Sequence, residues 1–289
     1  MDVRVNVTDT IIRMLEQGVT GEGSLWDGAG ACGLPKNFKT GAAYSGINIP
    51  LLWMAARERN LTRNEWLTFN QAKDLGASVR KGAKGVMGVF FSRVQKKGES
   101  EDPEQGAMVS MLKAFWLFNV MDIDGLELPP AVERPTFEPM EDAESLLAAS
   151  GANICWGGTQ ACYIPAIDEI RLPDRERFGR PVNAYAVALH ELSHWTGHRS
   201  RLNRDFSGRF GSEAYAFEEL VAELGSAFLV ARLGLVGARM ENHASYVQSW
   251  LKILKNDKTA IFTASKHAHA AYQHILHTAG LEQVSQSEE

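Results

Sequence analysis

The string His190-Glu191-Leu192-Ser193-His194 constrains this chain more than any other feature. Two histidines four residues apart on a helix share one face, about one turn apart, so their ring nitrogens can converge on a single cation. Glu191 stands beside the first of them, where a carboxylate can hold a water and take its proton, the general-base role in metal-dependent hydrolysis. A chance match of this kind is expected on the order of a few times in a hundred chains of this composition. The helical setting sharpens the signal. At about 100° per residue, Tyr185, Ala188, Leu189, Leu192 and Trp195 form one apolar stripe, and the histidines fall opposite it beside Ala186, Val187 and Gly197. Enclosed paired histidines need a partner, and a metal is the simplest.

A third ligand is expected from Glu218-Glu219-Leu220-Val221-Ala222-Glu223. On a helix, Glu219 and Glu223 share a face with the small residues Ala216, Ser226 and Ala227, whereas Glu218 points about 100° away. Glu219 is taken as the ligand. Glu223 is taken as the carboxylate that accepts a hydrogen bond from a ligand histidine's other nitrogen and fixes its tautomer. Two alternatives stay open: the two glutamates exchange roles, or this face is solvated. Two imidazoles and one carboxylate leave an open fourth position, which suits a divalent metal, zinc first, with Mn2+ or Co2+ as other occupants, and amide hydrolysis as the chemistry. His198, His243, Tyr215 and Tyr246 are unranked candidates to donate to a developing oxyanion. His267, His269, His274 and His277 scatter around their helix and read as surface residues.

The chain has 289 residues, 45% of them hydrophobic and 22% charged, which fits a folded protein of two domains. Cys32, Cys155 and Cys162 form no close C-x-x-C pair, arguing against a disulfide framework. The N-terminus lacks the basic start and apolar core of a signal peptide, and no apolar run is long enough to span a bilayer, so a cytoplasmic protein with no membrane partner is expected.

The net charge of −5 conceals an asymmetry. Between Lys36 and Lys97 there are twelve basic residues against three acidic ones, a pattern that suits a polyanion. Prolines gathered between Leu128 and Pro139 mark a linker, giving domains at 1–128 and 144–281, a proline-rich linker at 129–143 and a loose tail at 282–289. The fold class is α+β. Helices are predicted over 9–17, 49–60, 141–149, 184–198, 212–233, 241–255 and 260–279, and strands over 86–91, 114–120, 162–165 and 169–173, with an exposed hairpin connection over 95–106.

Single-stranded nucleic acid is bound by cationic grooves that follow phosphates and by aromatic rings that stack on bases. Val79-Arg80-Lys81-Gly82-Ala83-Lys84-Gly85 is a basic, glycine-punctuated turn leading into a strand. Arg80, Lys81 and Lys84 are therefore candidate DNA contacts, together with Lys36, Lys39 and Tyr44 in a glycine-rich loop and Trp66 and Lys73 before the turn. Each has a structural alternative. As a group, Trp53, Trp66, Phe90, Phe115, Trp116 and Phe118 are assigned to the core ahead of stacking.

Several strings resemble the ArdC family of plasmid-borne antirestriction proteins, whose N-terminal domain also occurs in plasmid primases. In the first half these are Tyr44-Ser45-Gly46-Ile47-Asn48, Trp66 to Ala72, Val79 to Gly85 and Phe115 to Val120. In the second half, Tyr163-Ile164-Pro165, Asp168 to Pro173, His190 to His194, Arg201-Leu202 and Glu218 to Phe228 are similar to that family's zincin-like domain. Glu219 to Glu223 also resembles the Glu-x-x-Ala-Asp ligand motif of zincins, with Glu in place of the terminal Asp. The resemblance implies a mixed α/β single-stranded-DNA-binding domain followed by a zincin-like, gluzincin-type metallopeptidase domain. It further implies that single-stranded DNA is the partner, that a protein of the restriction machinery is a candidate substrate, and that incoming plasmid DNA is shielded during conjugation. The competing expectations are a peptidase whose basic half only recruits its substrate, and a binding protein with a purely structural metal.

Overall fold

The computed structural model describes residues 2–18, 33–59, 61–95, 108–128, 139–178, 180–208, 212–238 and 243–281. The expected hairpin connection over 95–106, apart from Gln95, which ends a strand, lies outside these residues, as do most of the proline-rich stretch, Cys32 and the tail.

In the N-terminal half, β1 (Lys36–Asn37), β2 (Glu65–Thr68), β5 (Met108–Asn119) and β4 (Val86–Gln95) form a four-stranded sheet in the order β1-β2-β5-β4. The long β4–β5 pair is antiparallel, running in register from Val86 opposite Leu117 to Gln95 opposite Met108. Both strands extend several residues beyond the lengths expected from sequence, because register continues through residues of mixed polarity toward the hairpin end. Helices α1 (Val3–Gly18) and α2 (Asn48–Glu58) accompany the sheet, with the six-residue α3 (Phe69–Asp74) directly after β2. A capping box starts α3: Thr68 Oγ1 accepts from Gln71 N, and Gln71 Oε1 accepts from Thr68 N. Leu52 and Ala56 of α2 pack on Trp66 and Leu117, while Leu67, Ala72, Ala77 and Ile123 form a smaller cluster. The two-residue strands β3 (Ser78–Val79) and β6 (Ile123–Asp124) pair beside them.

The C-terminal half places a three-stranded sheet, order β7-β9-β8, against helices. These strands are β7 (Asn153–Gly158), β8 (Cys162–Ile164) and β9 (Glu169–Pro173); sequence patterning showed the last two and missed β7. The helices are α4 (Pro139–Ala149), α5 (Pro181–Trp195), α6 (Glu213–Leu233), α7 (His243–Asn256) and α8 (Ala260–Thr278). Helix α4 begins within the stretch read as linker. Pro181 opens α5 at a position where its missing N–H costs nothing. Ser212 Oγ caps α6 by accepting from Tyr215 N, and Gly234 ends it in the left-handed conformation with φ of 65°. Helix α6 is buried nearly all round, so its glutamates are held inside protein rather than on a solvated face.

The two halves share a core. Val7, Ile11 and Leu15 of α1 belong to the same buried cluster as Leu251 and Leu254 of α7, and the rings of Trp53 and Phe228 lie 5.9 Å apart. Thr8 Oγ1 donates to Lys258 O at 2.6 Å, and Lys258 and Lys255 pair with Asp9 at 2.8 Å and Glu16 at 2.7 Å.

Candidate metal centre

Helices α5 and α6 approach closely where small residues allow it. A Cβ added to Gly225 would lie 2.9 Å from Ser193 Oγ, so a larger residue there would push the helices apart. Glu219 is thereby brought against the histidine face of α5. His190 Nε2 and His194 Nε2 are 3.1 Å apart, and the carboxylate oxygens of Glu219 lie 3.4 Å from the first and 3.5 Å from the second. A tetrahedral ion with arms of about 2.0–2.1 Å needs ligand-to-ligand edges of about 3.3–3.4 Å. The two imidazole nitrogens and the two Glu219 oxygens, one set against each ring, thus already lie near the spacing such an ion requires.

Charge points the same way. Glu191, Glu218, Glu219 and Glu223 are all buried, and among the described residues Arg204 is the buried guanidinium beside them. Several carboxylates enclosed with one guanidinium call for a further cation. Burial acts to lower the pKa of His194, but the carboxylates of Glu218 and Glu219 outweigh it and raise the pKa to about 10. Burial would raise that of Glu219, but the two imidazoles hold it below the usual carboxylate range. Without a metal, a proton on His194 supplies positive charge, and a divalent ion would displace it. The residues present therefore fit a divalent cation.

The surroundings correct one expectation. Glu218, read as pointing away, bonds His194 Nδ1 at 3.1 Å and is itself gripped by Arg204 through Nε at 3.0 Å and Nη2 at 2.8 Å. Arg204 also donates to Thr196 Oγ1 and to the Ser193 carbonyl. Glu218, held ionised by Arg204, keeps one His194 proton on Nδ1, so the proton a metal would displace is the one on Nε2, the nitrogen that faces Glu219 and His190. Adjacent residues of one helix thus reach the two nitrogens of one ring, which an angular plot about the helix axis does not show. No sequence signal distinguishes Arg204 from other loop arginines. Glu223 Oε2 lies 3.8 Å from His190 Nδ1, the pairing expected of it but at ion-pair rather than hydrogen-bond distance.

The centre opens into a cleft of ≈ 720 Å³, within the range of small-ligand and peptide sites, walled by Cys162, Phe178, Val187, Phe206, Tyr215 and Tyr246. Tyr215 and Tyr246 bring their hydroxyls to 3.3 Å of each other in this wall. His198 bonds Ser200 Oγ at 2.7 Å and lies outside the cleft lining, and the His243 side chain is not among those described. His267, His269 and His274 are half-buried against aromatic rings, not surface residues as their angular scatter suggested, because α8 packs along α6 and α5 on more than one side.

A strap runs from the edge of the cleft, where Tyr163 lines it, to the end of α5. Arg201 donates to both oxygens of Asp168, one at 2.9 Å, and to the Trp195 carbonyl at 2.7 Å, with its guanidinium 3.8 Å above the Trp195 ring. Tyr163 Oη donates to Asp168 at 2.9 Å, tying the β8–β9 turn to the end of α5.

The candidate DNA contacts of the first half are divided. Trp66 is fully buried, with Nε1 donating to Asn64 Oδ1, so it serves the core and offers no face to a base. Tyr44 is half-buried, and its hydroxyl accepts from Asn37 Nδ2. Lys36, Lys39 and Arg80 are exposed but pair with Glu65 at 3.6 Å, Asp74 at 2.9 Å and Asp124 at 2.8 Å. Lys73, Lys81 and Lys84 are exposed. Trp116 and Phe90, assigned to the core by sequence, are 58% and 46% exposed.

Residues 1–118 match the family described as the N-terminal domain of anti-restriction factor ArdC, and residues 141–267 match a zincin-like metallopeptidase family. The crystal structure of the antirestriction ArdC protein from plasmid R388, metal-free, superposes with a TM-score of 0.82 at 37% identity, covering 98% of this chain and 100% of that one. The chain belongs to the ArdC family of antirestriction proteins. The Mn(II)-bound structure of the R388 ArdC protein aligns over the same shares, 98% and 100%, with a TM-score of 0.78 at 36% identity. Among curated relatives of this chain, the uncharacterized protein y4eC of Sinorhizobium fredii (strain NBRC 101917 / NGR234) is 38% identical over 92% of this chain and 89% of its own length. A DNA primase TraC of Escherichia coli is 37% identical over 93% of this chain, which spans only 19% of that protein. No helix among the described residues is long and apolar enough to cross a membrane.

Proposed function

We propose that this ArdC-family chain binds single-stranded DNA through its N-terminal domain and carries a metal-dependent peptidase-like centre, protecting incoming plasmid DNA from host restriction. The observation that carries the reading is the joining, in one chain with one shared core, of the His190–His194–Glu219 tripod to a basic, aromatic sheet. In this reading His190, His194 and Glu219 hold Zn2+, which polarises an amide carbonyl and acidifies water when bound. Glu191, buried on the same helix and lining the cleft, takes a proton from water and delivers it to the departing amide nitrogen. Arg204 and Glu218 fix the tautomer of His194. Glu223 faces the outer nitrogen of His190. The cleft admits an extended peptide, and a restriction protein near the bound DNA is the class of substrate it would meet in the cytoplasm.

Glu191→Ala tests the assignment. Metal content and melting temperature are expected to stay at wild-type levels while peptide cleavage is lost. Loss of metal would remove Glu191 from its proton-transfer role, and full plasmid protection by the variant would separate protection from peptidase chemistry. DNA binding is expected to fall steeply with salt and to favour single strands over duplex; equal binding to both would sink the DNA reading.

A further inference from the structure

We infer that Trp116 is a nucleobase-stacking platform, seated on the exposed face of β5 beside the basic turn Arg80–Lys84; this rests on the DNA-binding reading of the N-terminal domain. An indole 58% exposed on a central strand is costly to leave in water, and Trp116 has two neighbours that make it a surface rather than an accident. Phe118 follows two residues on, on the same side of the strand. Gly85, the last residue of the basic turn, faces both: a Cβ there would lie 3.2 Å from the Trp116 ring and 3.2 Å from the Phe118 ring. Glycine therefore lets the turn lie flat against the two rings, bringing Lys84 next to them. Phe69, 57% exposed, begins α3 immediately after Thr68, which is opposite Leu117, and Lys73 follows one turn later.

The acidic groups nearby do not cancel this charge. Asp122 is engaged by Arg59, and Asp124 by Arg80. Lys73, Lys81 and Lys84 remain exposed around the rings. A flat aromatic surface edged by ammonium groups matches a strand whose bases are unpaired: the rings take the bases and the lysines the phosphates. A duplex hides its base faces and would gain only the second term.

The test compares wild type, Trp116→Ala, Trp116→Phe and Lys84→Ala. Two fluorescein-labelled probes are titrated, a twenty-residue oligothymidylate and an abasic strand of the same length, over a series of salt concentrations. For oligothymidylate, Trp116→Ala is expected to weaken binding about 5- to 150-fold, the range for loss of one stacked base, and Trp116→Phe to recover most of it. For the abasic strand Trp116→Ala should match wild type, and Lys84→Ala should lower the salt slope by about one for both probes. An unchanged melting temperature would show that the ring is not structural. Wild-type-like binding of oligothymidylate by Trp116→Ala, with wild type itself binding, would overturn the platform alone. No binding by wild type would overturn the DNA reading with it. A concentration-dependent dimer abolished by Trp116→Ala would assign the patch to a second copy of this chain instead.

Discussion

Replacing Arg204 by methionine probes whether the hidden ion pair behind His194 holds the centre together. The Arg204 side chain is 3% exposed and Glu218 8%, and the guanidinium makes two bonds to that carboxylate and one each to Thr196 Oγ1 and the Ser193 carbonyl. Methionine keeps much of the length but leaves Glu218 facing only His194. Breaking a buried pair by removing one partner costs about 3–5 kcal/mol, because the remaining charge stays desolvated. For 289 residues at about 2.1 cal/mol/K each, the unfolding entropy is about 0.6 kcal/mol/K, so the melting temperature should fall by about 5–8 °C. Freed from its clamp, Glu218 would also orient His194 less firmly, and metal affinity should drop about 10- to 100-fold. Differential scanning calorimetry of the metal-free protein and competition with a chromogenic chelator read the two effects. Adding Glu218→Gln should recover part of the stability, since no charge is then left unpaired. A shift under about 2 °C with unchanged affinity would refute the argument built on that buried charge.

Glu219→Gln should abolish metal binding at micromolar ion, whereas Glu223→Gln should weaken it about 10- to 100-fold; the reverse ranking by equilibrium dialysis would exchange their roles. Gly225→Ala should cost about 1–3 kcal/mol by driving Ser193 Oγ away, seen as a lower melting temperature that Ser193→Gly partly restores; a neutral result would show that α5 and α6 can separate freely. The Arg201 guanidinium holds the Asp168 carboxyl below its usual range against a smaller opposing effect of burial. Asp168 therefore contributes stability at pH values above its unfolded pKa, near 3.8, and the contribution is lost as pH falls through the lower folded value. Asp168→Asn should flatten the acid limb of a melting-temperature profile, and an unaltered limb would exclude this strap from acid unfolding.

Much of the C-terminal half was legible because its helices carry strong periodicity and its candidate ligands recur at helical spacing: His190, His194 and Glu219 are brought together. Glu218 escaped because a carboxylate on a neighbouring helix position can still reach the far side of an imidazole that lies between two helices. The strands β1, β2 and β3, of two to four residues, are too short to establish a period of two, and β7, which alternates between exposed and half-buried positions, ends in two glycines and buries no side chain fully, so its pattern is weak. Phe115-Trp116-Leu117-Phe118 misled for another reason. All four residues are apolar, so alternation cannot say which pair faces water, and Trp116 was counted inward. The reach of α1 into the C-terminal helices is a contact between distant parts of the chain, which no local pattern encodes.

That reach has a genetic consequence. A recombination event that copied either half alone would strip Val7, Ile11 and Trp53, or Leu254 and Phe228, of their cover and leave apolar surface in water. The two halves are accordingly expected to be inherited together, and the portion of TraC that aligns, amounting to 93% of this chain inside a far larger primase, takes in both of them.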